Sequence, residues 1–268
     1  MKLQTIIEIP VSPWKISYAD KILMLGSCFS DEIGEQMKRR YLNVTCNPFG
    51  TLYNPLSIAQ ALQQTEVPPL VEWDGMYHAM THHGAFSRAD KHETEQAVRA
   101  SIETMQRALE EATVVIVTFG TAWVYEMNGH IVANCHKLPE SSFTRRRLTV
   151  EEIIATWQPI LKRYPDKHWL FTVSPIRHIK DGLHENQLSK ATLLQAVEQL
   201  GDYFPSYEIL LDELRDYRFY ADDLVHPSSL AVDYIWERFV VTYCTNQTKN
   251  ELVLQHKRWK HEHHIPLH

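Results

Sequence analysis

The stretch Ile22-Leu23-Met24-Leu25-Gly26-Ser27-Cys28-Phe29-Ser30 decides how the chain is read. Its first four residues form an unbroken apolar run that stops at Gly26. A run of that length suits a strand buried on both faces, as in a parallel sheet. Past Ser27 the period changes. Phe29, Ile33, Met37 and Tyr41 recur every fourth position and share one helical face. A strand therefore gives way to a helix at Gly26-Ser27-Cys28. A helix start presents unpaired N–H groups and a partial positive charge. A thiol there is shifted toward thiolate, whereas a hydroxyl there is exposed but still needs a base. The structural alternative makes Ser27 a helix cap and Cys28 a small buried side chain.

Moving outward, the same alternation continues. Asn43 to Cys46 reads as a second strand, followed by the loop signal Asn47-Pro48-Phe49-Gly50. Asn54-Pro55 opens a helix through Leu62, with Pro55 suited to its first turn. Residues 66–90 are irregular and rich in His, Trp and Pro. Val98, Ile102, Met105 and Leu109 mark a helix over Glu93 to Ala112. Val114 to Phe119 is the strongest strand signal, ended by Gly120. A loop-rich stretch runs from Thr121 to Leu148. Thr149 and Glu152 have capping-box spacing before a helix carrying Ile153, Trp157 and Ile160. Trp169 to Val173 reads as a strand, Ser189 to Leu200 as a helix, Tyr207 to Leu211 as a short strand and Ser228 to Tyr243 as a final helix.

This pattern predicts an α/β fold, a parallel sheet with helices on both faces. It predicts one domain over residues 1–245, with loop insertions near 66–92 and 121–148, and a polar, His-rich tail over 246–268. In such folds functional groups gather at the carboxyl ends of strands. Cys28, Gly50, Gly120 and Ser174 all follow predicted strands.

Composition narrows the classes. Of 268 residues, 44% are hydrophobic, enough for a core without staples. The net charge of -6 and the lack of a long basic stretch argue against a nucleic-acid partner. The four cysteines, Cys28, Cys46, Cys135 and Cys244, form no C-x-x-C pair. The first twenty residues lack signal-peptide organisation, and no segment is apolar enough to span a bilayer, so a cytoplasmic protein with no membrane partner is expected. Neither a G-x-G-x-x-G motif nor a P-loop occurs, and no cofactor is expected. Oligomeric state is not legible.

A second chemical feature is Asp222-Asp223-Leu224-Val225-His226-Pro227-Ser228, a loop before the last helix. His is the side chain suited to take a proton near neutral pH, and a nearby carboxylate can fix its tautomer. Asp223 lies three positions before His226, so a tight turn can pair them. The structural alternative is a surface loop in which Ser228 caps the helix. His78, His82 and His83 could line a pocket, but no further ligand for a metal is identifiable and none is assigned. Cys135-His136-Lys137 and Arg145-Arg146-Arg147 read either as a solvated loop or as a lid over an anionic or sugar-bearing substrate. Arg177 and His178 follow a strand end and could face the same pocket.

With these motifs assembled, the chain resembles the GSCFA-domain family. The resemblance rests on Gly26-Ser27-Cys28-Phe29, followed by Ser30 where that family usually has Ala. Asn47-Pro48-Phe49-Gly50-Thr51, Phe119-Gly120-Thr121, Cys135-His136-Lys137, Ser174-Pro175-Ile176-Arg177-His178 and Asp223-x-x-His226-Pro227-Ser228 support it. It covers roughly Lys21 to Tyr243. That family is regarded as a distant relative of the SGNH/GDSL esterases, which implies a flavodoxin-like three-layer α/β/α sandwich. Laid over the SGNH Gly-Asp-Ser motif, Cys28 takes the nucleophile position; a shift of one residue gives it to Ser27. His226 becomes the base and Asp223 its orienter. Gly50 becomes the oxyanion glycine. The third SGNH motif, Gly-x-Asn, reads Gly120-Thr121-Ala122, so its Asn donor is missing. Thr121, Asn47 and Asn54 are candidate substitutes, and His83 and Arg177 candidate substrate contacts.

Three functions are compatible with these residues. The first is an acyl-ester hydrolase acting on a small-molecule or carbohydrate ester. The second is an O-acyltransferase in which a carbohydrate hydroxyl resolves the acyl-enzyme. The third is a glycan- or ligand-binding module without turnover.

Overall fold

The run after Lys21 divides its side chains between two cores. In the computed structural model, which describes residues 4–263, Leu23 and Leu25 enter one hydrophobic cluster and Ile22 and Met24 another. Strict alternation on a strand buried on both sides puts a core on each face of the sheet.

The elements run β1 (Lys21–Gly26), α1 (Cys28–Lys38), β2 (Asn43–Cys46), α2 (Pro55–Gln63), β3 (Val71–Trp73) and β4 (Met76–His78). Next come α3 (Lys91–Glu111), β5 (Val114–Phe119), β6 (Trp123–Met127), β7 (His130–Val132), β8 (Thr144–Arg147) and α4 (Val150–Arg163). The chain continues with β9 (His168–Val173), α5 (Leu183–Val197), β10 (Asp202–Phe204), α6 (Ser206–Glu208), α7 (Ser229–Tyr243) and α8 (Asn246–Glu262).

The central sheet has the order β10-β9-β5-β1-β2, and all its pairs are parallel. One core joins the sheet to side chains from α2, α3, α4 and α5. The other joins it to α1, α7 and α8. The architecture is thus a flavodoxin-like three-layer sandwich. The order in which strands are added to the sheet reverses between β1 and β5, and ligands of open α/β sheets bind outside the carboxyl ends of strands at such a switch point. Gly26-Ser27-Cys28 and Gly120-Thr121 leave the sheet on either side of that crevice.

Trp157 of α4 anchors the first core. It is fully buried, packs edge-on against Phe119 and Phe171 at 5.3 and 5.4 Å, and donates its indole N–H to the Pro55 carbonyl at 3.1 Å. The predicted capping box is present: the Thr149 hydroxyl accepts from the Glu152 amide, and the Glu152 carboxylate accepts from the Thr149 amide.

Several sequence expectations are corrected. Tyr207–Leu211 is not a strand. It belongs to α6 and a π-helical turn over Ile209–Leu214, while the fifth strand is Asp202–Phe204. Ile209, Leu210 and Leu214 are buried, and a short apolar run does not by itself distinguish a strand from a buried helical turn. Helix α5 begins six residues before the predicted start, after Gly182 at φ 89°. The insertions are hairpins. β3 and β4 turn at Asp74-Gly75, and β6 and β7 at Asn128-Gly129, both pairs with positive φ as two-residue hairpins require. β8 completes a three-stranded antiparallel sheet with them. Residues of the predicted tail form α8, capped by the Thr245 hydroxyl on the Thr248 amide at 3.0 Å and anchored by buried Leu252. His264 and His268 lie outside the described residues. Among the described residues no helix is long and apolar enough to cross a membrane.

Candidate active site

Gly26 is the pivot of the strand-to-helix turn. It has φ +138°, and a Cβ there would lie 2.2 Å from the Thr118 carbonyl oxygen on β5. Its amide donates to Asn47 Oδ1 at 2.8 Å, and Asn47 Nδ2 donates to Asp31 Oδ1 at 2.8 Å. Asn47 is therefore a brace between the β1 and β2 ends, not an oxyanion donor. Ser30 also ties to β5, its hydroxyl donating to Thr118 Oγ1 at 2.8 Å.

Ser27 and Cys28 diverge here. Ser27 is the N-cap of α1, fully buried, and its hydroxyl donates to Ser174 Oγ at 3.1 Å rather than to the helix. Cys28 is the first helical residue and half-buried. Its Sγ lies 3.6 Å from Tyr53 Oη and faces a cavity of about 490 Å³.

His226 lines the same cavity. Asp223 holds it through three bonds: Oδ2 to His226 Nδ1 at 2.6 Å, and Oδ1 from the Val225 and His226 amides at 2.8 and 2.9 Å. The two backbone N–H groups, then the imidazole, hold the Asp223 carboxyl down at a pKa of about 2. Leu224, at φ 57°, makes the turn that brings the pair together. The loop is pinned to the end of β9 by the Arg177 amide, which donates to the Val225 carbonyl at 3.1 Å. The Arg177 guanidinium lies over the rings of Tyr220 and Tyr217 at 5.0 and 5.7 Å.

Other expected residues fall into two groups. Asn54, Thr121 and Arg177 line the cavity with Cys28 and His226. Asn54 also caps α2, accepting from the Ser57 amide at 2.8 Å. Gly50 and His83 do not line it. The Gly50 amide donates to the Asn47 carbonyl at 2.8 Å, which consumes the proposed oxyanion donor, and its missing side chain makes room for His83, whose Cβ would sit 2.3 Å from a Cβ on Gly50. The amides of Gly120 and Thr121 are likewise spent, both on the Tyr53 carbonyl at 2.8 and 3.0 Å.

The three arginines of β8 each meet a carboxylate, so they do not form a free anion lid. Arg145 pairs bidentately with Asp181 and lies over Trp123 at 4.3 Å; Arg146 pairs with Glu126 and Glu152, and Arg147 with Glu185. His82 is buried, bonded to Thr81 and Ser101 and stacked on Phe49; burial lowers its pKa to about 3. His136 is buried as well, which lowers its pKa to about 4. Among the described residues no group of three metal-ligating side chains converges.

Four contributors carry no mark in the sequence analysis. Trp123 and Tyr125, on one face of β6, form a cavity wall. The hairpin signal Asn128-Gly129 after alternating Trp123-Val124-Tyr125 could have found them. Tyr53 carries no such signal. Lys190 of α5 is the fourth: fully buried, it donates to the Gly120 and Ser174 carbonyls, each at 2.7 Å, and burial lowers its pKa to about 7. It ties the ends of β5 and β9 beneath the site. His178, on the cavity wall, has its pKa lowered to about 3 by burial, then by Lys190 and His226, and its Nε2 is unpartnered.

The fold and cavity define a three-layer α/β protein with its polar residues gathered at the switch point of a parallel sheet. The chain belongs to the GSCFA family, whose model matches residues 21–239. That span includes both the Cys28 turn and the Asp223–His226 loop. No curated protein matches the chain.

Proposed function

We propose that the protein is an acyl-ester enzyme working through a thioester on Cys28, with His226 as general base and acid and Asp223 as its orienting carboxylate. One observation carries this reading: Cys28 and the Asp223-held His226 line one cavity at the switch point although the chain separates them widely. The Asp223 bond at Nδ1 leaves Nε2 for proton transfer. His226 takes the thiol proton as sulfur attacks the ester carbonyl; the carbonyl electron pair moves to oxygen. Collapse of that intermediate expels the alcohol, which receives the proton from His226. Water then repeats the sequence, transferring a proton to His226, forming the acid and returning the thiol.

Burial of Ser27 and its bond to Ser174 support Cys28 as the nucleophile. The rings of Tyr53, Trp123 and Tyr125 together with Val132 and Ile176 suit the apolar part of an ester. A carbohydrate hydroxyl in place of water would make the same site a transferase; product analysis separates the two. The direct test is turnover of short-chain p-nitrophenyl esters and acyl thioesters by wild type and His226→Ala. The proposal expects a loss of at least about a hundredfold in the variant. Full turnover by His226→Ala would remove the base, and saturable sugar binding without turnover would replace the enzyme by a binding module.

A further inference from the structure

The SGNH-like pattern lacks its Asn donor at Ala122, and the structure spends the neighbouring backbone donors elsewhere. The Gly50 amide is bonded to Asn47, and the Gly120 and Thr121 amides to Tyr53. A tetrahedral intermediate on Cys28 would therefore meet the first-turn amides of α1 and little else from those motifs. One further hydroxyl touches the sulfur, that of Tyr53.

We propose that the Tyr53 hydroxyl is the side-chain oxyanion donor of this site, in the role the absent Asn would otherwise fill. This rests on the acyl-enzyme reading above. Three features support it. First, the geometry is close: Oη is 3.6 Å from Sγ, and the oxyanion forms on the carbon bonded to that sulfur, within about 2.7–3.1 Å reach of a donor so placed. Second, the proton is available. Thr51 Oγ1 donates to Tyr53 Oη at 3.4 Å, so the phenol accepts there and keeps its own O–H for the sulfur side. Burial raises the Tyr53 pKa, which keeps the hydroxyl protonated through the neutral range. Third, the residue is fixed before substrate arrives. Its carbonyl holds two amides, and its ring packs edge-on against His178 at 6.1 Å. A donor held in place needs no reorganisation when charge develops.

In the chemical step the thiol proton passes to His226, the C–S bond forms, and the carbonyl pair moves to oxygen, where Tyr53 donates to it. Collapse returns the pair and breaks the bond to the leaving alcohol. Other donors on the cavity wall are Asn54, which has given one of its two amide N–H groups to Ser57 Oγ at 2.9 Å, and the unpartnered His178 Nε2 and Trp123 Nε1; Tyr53 is the one with a contact to Sγ.

The test compares wild type with Tyr53→Phe, which keeps the ring and loses only the hydroxyl. Two rates are read on full-length protein by intact mass: acylation of Cys28 by a p-nitrophenyl ester, and alkylation of Cys28 by iodoacetamide, which forms no oxyanion. Acylation should fall about a hundredfold or more, with alkylation falling far less, since it loses only the contact of the hydroxyl with the sulfur, and thermal unfolding preserved. Unchanged acylation overturns the assignment. A parallel fall in both rates also overturns it, since Tyr53 would then act on the thiol or on the fold. Failure of wild type to acylate at all, with alkylation intact, refutes the acyl-enzyme reading itself and this role with it.

Discussion

Ser27 and Cys28 adjoin in sequence, yet one hydroxyl is buried against Ser174 and the neighbouring thiol faces the cavity. Ser27→Ala removes a buried hydrogen bond without touching the proposed chemistry. It should cost about 1–3 kcal/mol in stability and leave the turnover number within a few-fold. Abolished turnover in a folded Ser27→Ala protein would move the nucleophile to Ser27. At the other end of the site, Asp223 is exposed, so its pairing is weak as a source of stability. Its task is to fix the His226 tautomer. Asp223→Asn should lower turnover roughly a hundredfold to ten-thousandfold with the melting temperature little changed, as steady-state kinetics and thermal scans would show. The pair Asp223-x-x-His226 was legible because a local turn makes it. Tyr53 was not, because its contact with Cys28 depends on how the loop after β2 returns to the switch point.

Among the elements, α5 matters most for the shape of the site, since Lys190 binds the strand ends on which it stands. A neutral amine has two N–H groups, matching the Gly120 and Ser174 carbonyls; an ammonium has a third, which finds only the face of Tyr207 at 5.5 Å. With a native pKa near 7 against 10.5 for the free side chain, the unfolded chain holds more protons between those values. Stability should therefore rise from pH 7 toward pH 10 through this group. Lys190→Met leaves two buried carbonyls without a donor, at about 1–3 kcal/mol, and should erase that part of the rise. Urea unfolding of both proteins at pH 7 and pH 9.5 measures it; identical slopes would mean Lys190 does not titrate in this way. Elements with clear periodicity, such as β1, β5 and α4, were readable in sequence. The π-helical turn over Ile209–Leu214 was not, because its apolar run serves burial equally as strand or helix.

The whole molecule carries a charge liability on its acid side. Burial, first in each case, lowers the pKa of His82 to about 3, His136 to about 4 and His178 to about 3. Each is neutral when folded and takes a proton on unfolding once the pH falls below its ordinary 6.5. Stability present above that pH is then lost on acidification, by roughly 1.4 kcal/mol per pH unit for each fully uncharged histidine. The urea midpoint should drop steeply between pH 6.5 and pH 4.5, and a flat midpoint would contradict these burials. The parallel sheet and its two helical layers were visible in the alternation of elements. The cavity was not, because one of its walls comes from the 121–148 insertion, whose place over the sheet depends on tertiary packing.

If Cys28 is the nucleophile, it carries an acyl group during turnover. Full-length protein mixed with a short-chain p-nitrophenyl ester or acyl thioester, quenched in acid and mapped by peptide mass spectrometry, addresses it directly. The mass of one acyl group should appear on Cys28, accumulating with a burst of product and absent from Cys28→Ala. An acyl group on Ser27, or turnover by wild type with Cys28 never modified, would contradict it.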